Sequence, residues 1–279
     1  MVSLDACLAK GVDILSGTDL ARLEAEILLC HVLGRDRLYL AVHKADLIED
    51  NDAKKFLQLC QRRAKGEPSA YITGTREFMS LEFEVNPSVL IPRPETEMLA
   101  ELICDKYKDK NANIIDICTG SGAIACSVAH YLPDARVTAV DISKAALAVA
   151  ERNCQRIGVA DRVTLMHADA LEEIKVPQRF DLAVSNPPYI ETGVIATLEV
   201  DVKDFEPMLA LDGGKDGLIF YRQIVNNIKS VLRAGGELYF EIGSDQGSDV
   251  AHIMSAQFEN VTVIKDLAGL DRIVTGQLR

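Results

Sequence analysis

The sequence contains no C-x-x-C pair. Its seven cysteines (Cys7, Cys30, Cys60, Cys104, Cys118, Cys126 and Cys154) are odd in number, and its five histidines are scattered. Neither a disulfide framework nor a metal site is indicated; reduced, mostly buried thiols in a cytoplasmic protein are expected. Basic residues are in deficit, with 30 Lys and Arg against 42 Asp and Glu and a formal net charge of -12. Binding bare nucleic acid requires clustered positive charge, so no direct nucleic-acid partner is expected. No stretch reaches the ~18 uninterrupted apolar residues of a membrane span. The opening MVSLDACLAKGVDILSG lacks a basic stretch followed by an apolar run, so no secretory leader is expected there. There is no Pro/Gly/Ser-rich tract of disordered character and no internal repeat. What the chain does have is apolar mass. With 48% hydrophobic residues over 279 positions, it supports a main domain with a smaller one attached.

Residues 1–70 read as helical. ARLEAEILLCHVLG (Ala21–Gly34) places Leu23, Ile27, Leu28 and Val32 on one face after a candidate cap, Asp19. DAKKFLQLCQRRAKG (Asp52–Gly66) repeats the pattern with Phe56, Leu59, Cys60 and Ala64. Short amphipathic helices cannot bury their stripes alone, so a small bundle is expected. Over residues 71–90 the period changes, and Phe78, Leu81, Phe83 and Val85 predict a β-hairpin linker. The corner IPRPETE (Ile91–Glu97) then opens a main domain covering residues 91–279. From Asn113 onward, strand-like runs (NIIDI, RVTAVDI, RVTLMHAD, FDLAVSN, ELYFEIG) alternate with helical ones, which points to a doubly wound, largely parallel α/β sheet. The last two candidates, VTVIKD and RIVTGQL, are too close for a helical crossover, so an antiparallel closing hairpin is predicted.

Ligands of open α/β sheets bind beyond the carboxyl ends of the strands. The turn DICTGSG (Asp116–Gly122) follows the first strand of this sheet, and its glycines permit close backbone approach. The dinucleotide pattern G-x-G-x-x-G is absent because Cys118 stands at its first glycine, and no Walker lysine follows. The second strand ends in Asp141, whose carboxylate suits a ribose diol, and the third leads to Asp169, suited to an adenine amino group. Together they favour an adenosine ligand without a pyrophosphate: S-adenosylmethionine. The fourth strand ends in SNPPY. Pro187 and Pro188 fix φ and lack N–H donors, so their carbonyls are rigid acceptors. Asn186 supplies a second acceptor, and the Tyr189 ring is expected against the plane of a bound –NH₂. Such a corner holds a nitrogen in line with a sulfonium methyl.

The segments EPSAYITGTREFMSLEFEV, VLIPRPETE, DICTGSGAIA, AVDIS, SNPPYI and FEPMLALDGGKDGL resemble those of the peptide chain release factor glutamine methyltransferase family, across essentially the whole chain. The resemblance implies a seven-stranded, Rossmann-like S-adenosylmethionine-dependent methyltransferase domain, with a small N-terminal helical bundle joined to it by a β-hairpin. It implies methylation of the side-chain amide of the glutamine in the Gly-Gly-Gln motif of class I release factors. Carried over by motif, Cys118, Thr119, Gly120, Ser121 and Gly122 would line the methionine moiety. Asp141 would hold the ribose, with Asp169 and Ala170 beside the adenine. Asn186 would touch both cofactor and glutamine, with Pro187, Pro188 and Tyr189 completing the substrate clamp. Asn186, Pro187 and Tyr189 would thus serve catalysis. Glu206 and the turn Asp212-Gly213-Gly214 would shape the site, or form a solvated loop. A monomer that recognises release factors through residues 1–70 is expected.

The NPPY corner alone leaves alternatives open. Adenine-amino DNA methyltransferases and some guanine-amino RNA methyltransferases resemble the chain there, but need a phosphate-binding surface and room for a flipped base. The acidic balance favours a protein substrate. IPRPETE favours release factors over sister enzymes that methylate a ribosomal-protein glutamine. A non-enzymatic adenosine-binding scaffold is the remaining alternative.

Overall fold

The structure, a computed structural model, describes every residue except 177. The chain forms two compact units, one of Met1–Thr75 with Glu199–Phe205, the other of Arg76–Leu198 with Glu206–Arg279.

The first unit contains β1 (Val2–Ser3), α1 (Leu4–Ile14), α2 (Ala21–Leu33), α3 (Arg37–Val42), β2 (Leu47–Ile48), α4 (Asp50–Arg63) and α5 (Ser69–Thr73). Ser3 caps α1 by accepting from the Ala6 amide, and Asp36 caps α3 by accepting from the Tyr39 amide. Asp19 caps nothing: Leu20 precedes α2 without a side-chain hydrogen bond. The face of α2 is also rotated from the expected one. Ala25, Leu28 and Leu29 are buried, whereas Ile27 is exposed. This helix is apolar on more than one side, so periodicity alone does not choose its inner face. On α4 the choice is unambiguous, and Phe56, Leu59 and Cys60 pack with Leu4, Leu8 and Leu28 into one core.

The hairpin of β3 (Thr75–Phe78) and β4 (Leu81–Glu84) is shorter than the 71–90 segment, because residues 69–73 wind into α5. Its turn residues Met79 and Ser80 adopt φ of 52° and 57°, a left-handed pair unusual without glycine. Partners hold that turn: Glu97 accepts from the Met79 amide at 2.7 Å, and the Tyr131 hydroxyl donates to its carbonyl at 2.7 Å.

The second unit continues with α6 (Pro94–Tyr107), β5 (Asn113–Ile117), α7 (Ala123–Tyr131), β6 (Arg136–Asp141), α8 (Lys144–Ile157), β7 (Val163–His167) and β8 (Phe180–Ser185). The short α9 (Val200–Lys203) lies in the segment belonging to the first unit; α10 (Ile219–Asn227), β9 (Leu232–Glu241), α11 (Gly247–Ser255), β10 (Phe258–Lys265) and β11 (Asp271–Leu278) follow. β9 begins at Leu232, ahead of the ELYFEIG run. The seven-stranded sheet has the order β10-β11-β9-β8-β5-β6-β7. Strands β5 to β9 run parallel, and β11 returns antiparallel between β9 and β10 as the expected closing hairpin. The chain moves outward through β5, β6 and β7 and restarts at β8, so the strand order reverses between β5 and β8. A ligand-binding crevice opens at such a point in open α/β sheets. Alternate residues of β5 explain the double cover: Ile114 enters one core with Val137 and Leu182, while Ile115 and Ile117 enter another with Val140 and Phe240. Among the described residues, no helix is long and apolar enough to cross a membrane.

Candidate active site

A cavity of about 300 Å³ opens at the carboxyl ends of β5, β6 and β8. Its wall includes Cys118, Thr119, Gly120 and Ser121 from the turn after β5. Asp141, Asp169, Ala170, Asn186 and Pro188 also line it; Gly122, Pro187 and Tyr189 are adjacent in the chain to lining residues.

The turn is held from beneath. Thr119 donates its hydroxyl to Asp116 at 2.6 Å, and its amide donates to the Val140 carbonyl at 2.9 Å. Asp116 is fully buried, and burial pushes its carboxyl up to about 7 against the Thr119 hydrogen bond. Cys118 takes φ 66°, a left-handed conformation that a glycine would adopt without strain, and burial pushes its thiol up. A side chain at Gly120 would meet no protein atom, because the position opens onto the cavity. At Gly122 the need is the reverse: an added Cβ would lie 3.1 Å from the Ala150 Cβ, where α8 packs close. Buried Asn153 ties this turn to the hairpin, donating to Ser121 O at 2.9 Å and Glu84 O at 3.0 Å and accepting from Glu84 N at 2.7 Å.

Asp141 ends β6 with one carboxylate oxygen on the Ser143 amide at 2.8 Å and the other on the Gly120 amide at 2.9 Å. Burial raises its pKa, while the Ser143, Gly120 and Ile142 amides and His167 oppose the rise. Each oxygen retains a second lone pair, so the carboxylate can also accept from a ligand. Asp169 caps its own turn by accepting from the Leu171 amide at 2.8 Å.

The corner after β8 is anchored on two sides. Ser185 donates to the Ile117 carbonyl at 2.5 Å, and Asn186 Nδ2 lies 3.2 Å from Thr96 Oγ1 on α6. The Tyr189 side chain is half-buried. It packs on the core formed by Tyr221 and Phe240, and burial pushes its hydroxyl up to about 12. After two prolines with fixed φ, the chain turns inward and carries that side chain into the apolar cluster. The Tyr189 carbonyl is also engaged, accepting from Gln246 Nε2 at 3.0 Å.

The glycines of DGGKDGL explain themselves here. A Cβ on Gly213 would sit 2.8 Å from the backbone of Tyr189. Gly217 has φ 68°, and its Cβ would strike the Tyr189 carbonyl oxygen. Both allow the loop to strap the corner, through Ile190 N to Leu211 O at 3.0 Å and Gly213 N to Ile190 O at 2.8 Å. Gly217→Ala combines left-handed strain with a clash against backbone. A loss of about 2 kcal/mol in chemical denaturation is expected, with lower transfer activity. Beside this strap, Glu206 is buried; it accepts from the Ile91 amide at 3.2 Å and pairs with Arg93.

Three side chains of this region escaped the sequence reading. Thr96 sits inside the corner IPRPETE, where its sequence position gives it no distinctive signal. Glu241 was legible as the one carboxylate following a run of apolar residues in ELYFEIG, and it is 4% exposed. Gln246 carried no signal, since its contacts join segments distant in sequence. Among the described residues, no cluster of His, Cys, Asp and Glu could hold a metal ion.

The cavity fits an adenosyl cofactor with an amino-acid tail. The open backbone at Gly120 admits the tail, Asp141 has acceptor capacity for a diol, and Val140, Ile142 and Leu171 offer apolar wall to a base. Together with the sheet order, this defines an S-adenosylmethionine-dependent methyltransferase. The PrmC N-terminal domain family matches residues 6–74, and the methyltransferase small domain family matches residues 94–202. The release factor glutamine methyltransferase of Moorella thermoacetica is 46% identical over 259 residues, covering 92% of this chain and 91% of the relative. That of Clostridium acetobutylicum is 43% identical, covering 90% and 89%. The chain belongs to the release factor glutamine methyltransferase family. Among solved structures, the hMettl16 catalytic domain in complex with MAT2A 3'UTR hairpin 6 has a TM-score of 0.57 at 16% identity, covering 78% of this chain and 81% of that one. A methyltransferase from Pyrococcus furiosus has a TM-score of 0.53 at 19% identity, covering 71% and 88%. At these identities the likeness is one of fold.

Proposed function

We propose that this enzyme methylates the side-chain amide nitrogen of the glutamine in the Gly-Gly-Gln motif of class I peptide chain release factors. The observation that carries the reading is the anchored Asn186 amide on the cavity wall, in a chain whose relatives are named for this reaction. When bound, S-adenosylmethionine supplies an electrophilic methyl group. Cys118, Thr119, Gly120, Ser121 and Gly122 would hold its methionine end, with Gly122 acting through helix packing. Asp141 binds the ribose, and Asp169 and Ala170 flank the adenine.

An amide nitrogen is a weak nucleophile, since its lone pair is delocalised into the carbonyl. The chain's contribution is to hold the –NH₂ by its two hydrogens, one on Asn186 Oδ1 and one on the Pro187 carbonyl. Fixed acceptors align the nitrogen and polarise its N–H bonds as positive charge develops there. Pro188 closes the wall, and Tyr189 anchors the corner through its half-buried ring and its carbonyl. Residues 1–70 recognise the release factor and 71–90 join them to the catalytic residues 91–279. The enzyme works as a cytoplasmic monomer without a nucleic-acid partner.

Transfer of labelled methyl to a release factor, abolished by Gln→Ala in its Gly-Gly-Gln motif, tests the reading; label in DNA or ribosomal protein alone would refute it. Asp141→Ala removes a charge-assisted acceptor, so a loss of about 1.5–3 kcal/mol in cofactor affinity is expected by titration calorimetry.

A further inference from the structure

Behind Asn186, and off the cavity wall, lies a carboxyl group that the reaction as described does not use. Glu241 is the last residue of β9, and the parallel register pairs Ser185 with Phe240, so Asn186 and Glu241 leave neighbouring strands side by side. Its Oε2 is buried without a hydrogen-bond partner. Thr96 and Asn186 are the side chains whose polar groups favour its ionised form, and Thr96, 5% exposed, is itself 3.2 Å from Asn186 Nδ2.

We propose that Glu241 is a positioning residue: through Thr96 it fixes which way the Asn186 amide points, and so presents Asn186 Oδ1, not Nδ2, to the substrate nitrogen. The reasoning follows from donor and acceptor capacity. A carboxylate only accepts, so it takes the single Thr96 hydroxyl proton. The Thr96 oxygen is then an acceptor toward Asn186, which must offer Nδ2 to it. Oδ1 consequently faces the cavity. A side-chain amide has two nearly isosteric orientations, and only the network around it chooses between them. The chosen one is selective. An acceptor facing the cavity receives an –NH₂, but repels the lone pairs of a carboxylate, so glutamine is taken and glutamate is not.

Other charges bear on Glu241 from each element around it. Glu95 on α6 disfavours its ionised form and Arg272 on β11 favours it, while the hydroxyls of Tyr189 and Tyr221 approach from the corner and from α10. Burial dominates and pushes the carboxyl up to about 7. Above that pH the ionised carboxylate imposes the order just described. Below it the carboxyl carries a proton, donates to Thr96, and no longer dictates the amide's direction. This inference rests on the proposed glutamine chemistry for its consequence, but not for its geometry.

The test uses the full chain with Glu241→Gln, which keeps shape and loses the acceptor-only character. Single-turnover methyl transfer to a release factor is expected to fall about 10- to 100-fold, the usual loss for an orienting outer partner. Cofactor affinity is expected to stay unchanged. Thr96→Val should lose as much as Glu241→Gln, and Thr96→Ser, which keeps the hydroxyl, should lose less. Independently of any substrate, the ¹⁵N side-chain resonance of Asn186 is expected to titrate with a midpoint near pH 7 in the parent protein and to stay flat in Glu241→Gln. Wild-type transfer rates in both Glu241→Gln and Thr96→Val, or an Asn186 resonance indifferent to the substitution, would overturn the proposal. If the parent protein transfers nothing to a release factor, the function reading fails while the resonance titration still decides this one.

Discussion

Asn186→Ala is expected to slow methyl transfer by about 30- to 1000-fold, which is the ~2–4 kcal/mol lost when one preorganised group facing a developing charge is removed. The substitution deletes the Oδ1 acceptor while Pro187 and Pro188 keep the backbone of the corner in place. Because Asn186 is only half-buried and Ser185 still anchors to the Ile117 carbonyl, the fold has little to lose. Cofactor affinity should move little, since Asp141 and the turn after β5 are untouched. Single-turnover rates with calorimetry on the same preparation separate the two effects. A rate within threefold of the parent protein would show that the nitrogen is held by other groups. Asn186→Asp is an informative companion. It retains an acceptor but places a second carboxyl beside Glu241, where two like charges disfavour ionisation of both. It is therefore expected to recover activity only partly, and more poorly as the pH falls toward neutrality, because a protonated Asp presents a donor to the substrate.

The sequence made the sheet and the cavity legible for one physical reason: ligand-binding residues of a parallel sheet sit where apolar strand runs stop. Asp141, the turn after β5 and Asn186 each mark such a stop. Direction of a side chain beyond the stop was not legible. Tyr189 follows two prolines, and whether its ring enters the cavity or the core is decided by Gly213, Gly217 and Gln246, more than twenty residues away in sequence. The inner face of α2 was hidden similarly, because too many of its positions are apolar for a period to discriminate. Thr96, Glu241 and Gln246 act through contacts between distant segments. A polar residue within an apolar run signals only that a partner exists, not which partner it is.

Glu206→Ala is the substitution expected to cost the fold most, about 3 kcal/mol in chemical denaturation. The carboxylate, whose side chain is 2% exposed, accepts from the Ile91 amide and pairs with the Arg93 guanidinium. Removing it leaves a buried N–H without its acceptor and takes the counter-charge from Arg93. The guanidinium side of the loss is moderated, since Arg93 is 34% exposed and can turn to water. The Ile91 side is not, because that residue is 5% exposed and its amide has nowhere to go. The consequence reaches the cavity by a short route. Pro92, Arg93 and Thr96 all line it, and Pro94 opens the helix on which Thr96 meets Asn186. Releasing the corner should therefore weaken turnover as well as stability. Glu206→Gln separates the two contributions: it retains an acceptor for Ile91 and Arg93 and removes only the charge. If hydrogen bonding holds the corner, this variant should regain more than half of the lost stability; if charge holds it, Glu206→Gln should fall with Glu206→Ala. Partial rescue is the expected result, because a carboxylate bonds a guanidinium more strongly than an amide does. Equal stability of the parent protein and Glu206→Ala would show that the Ile91–Arg93 corner is held without this anchor.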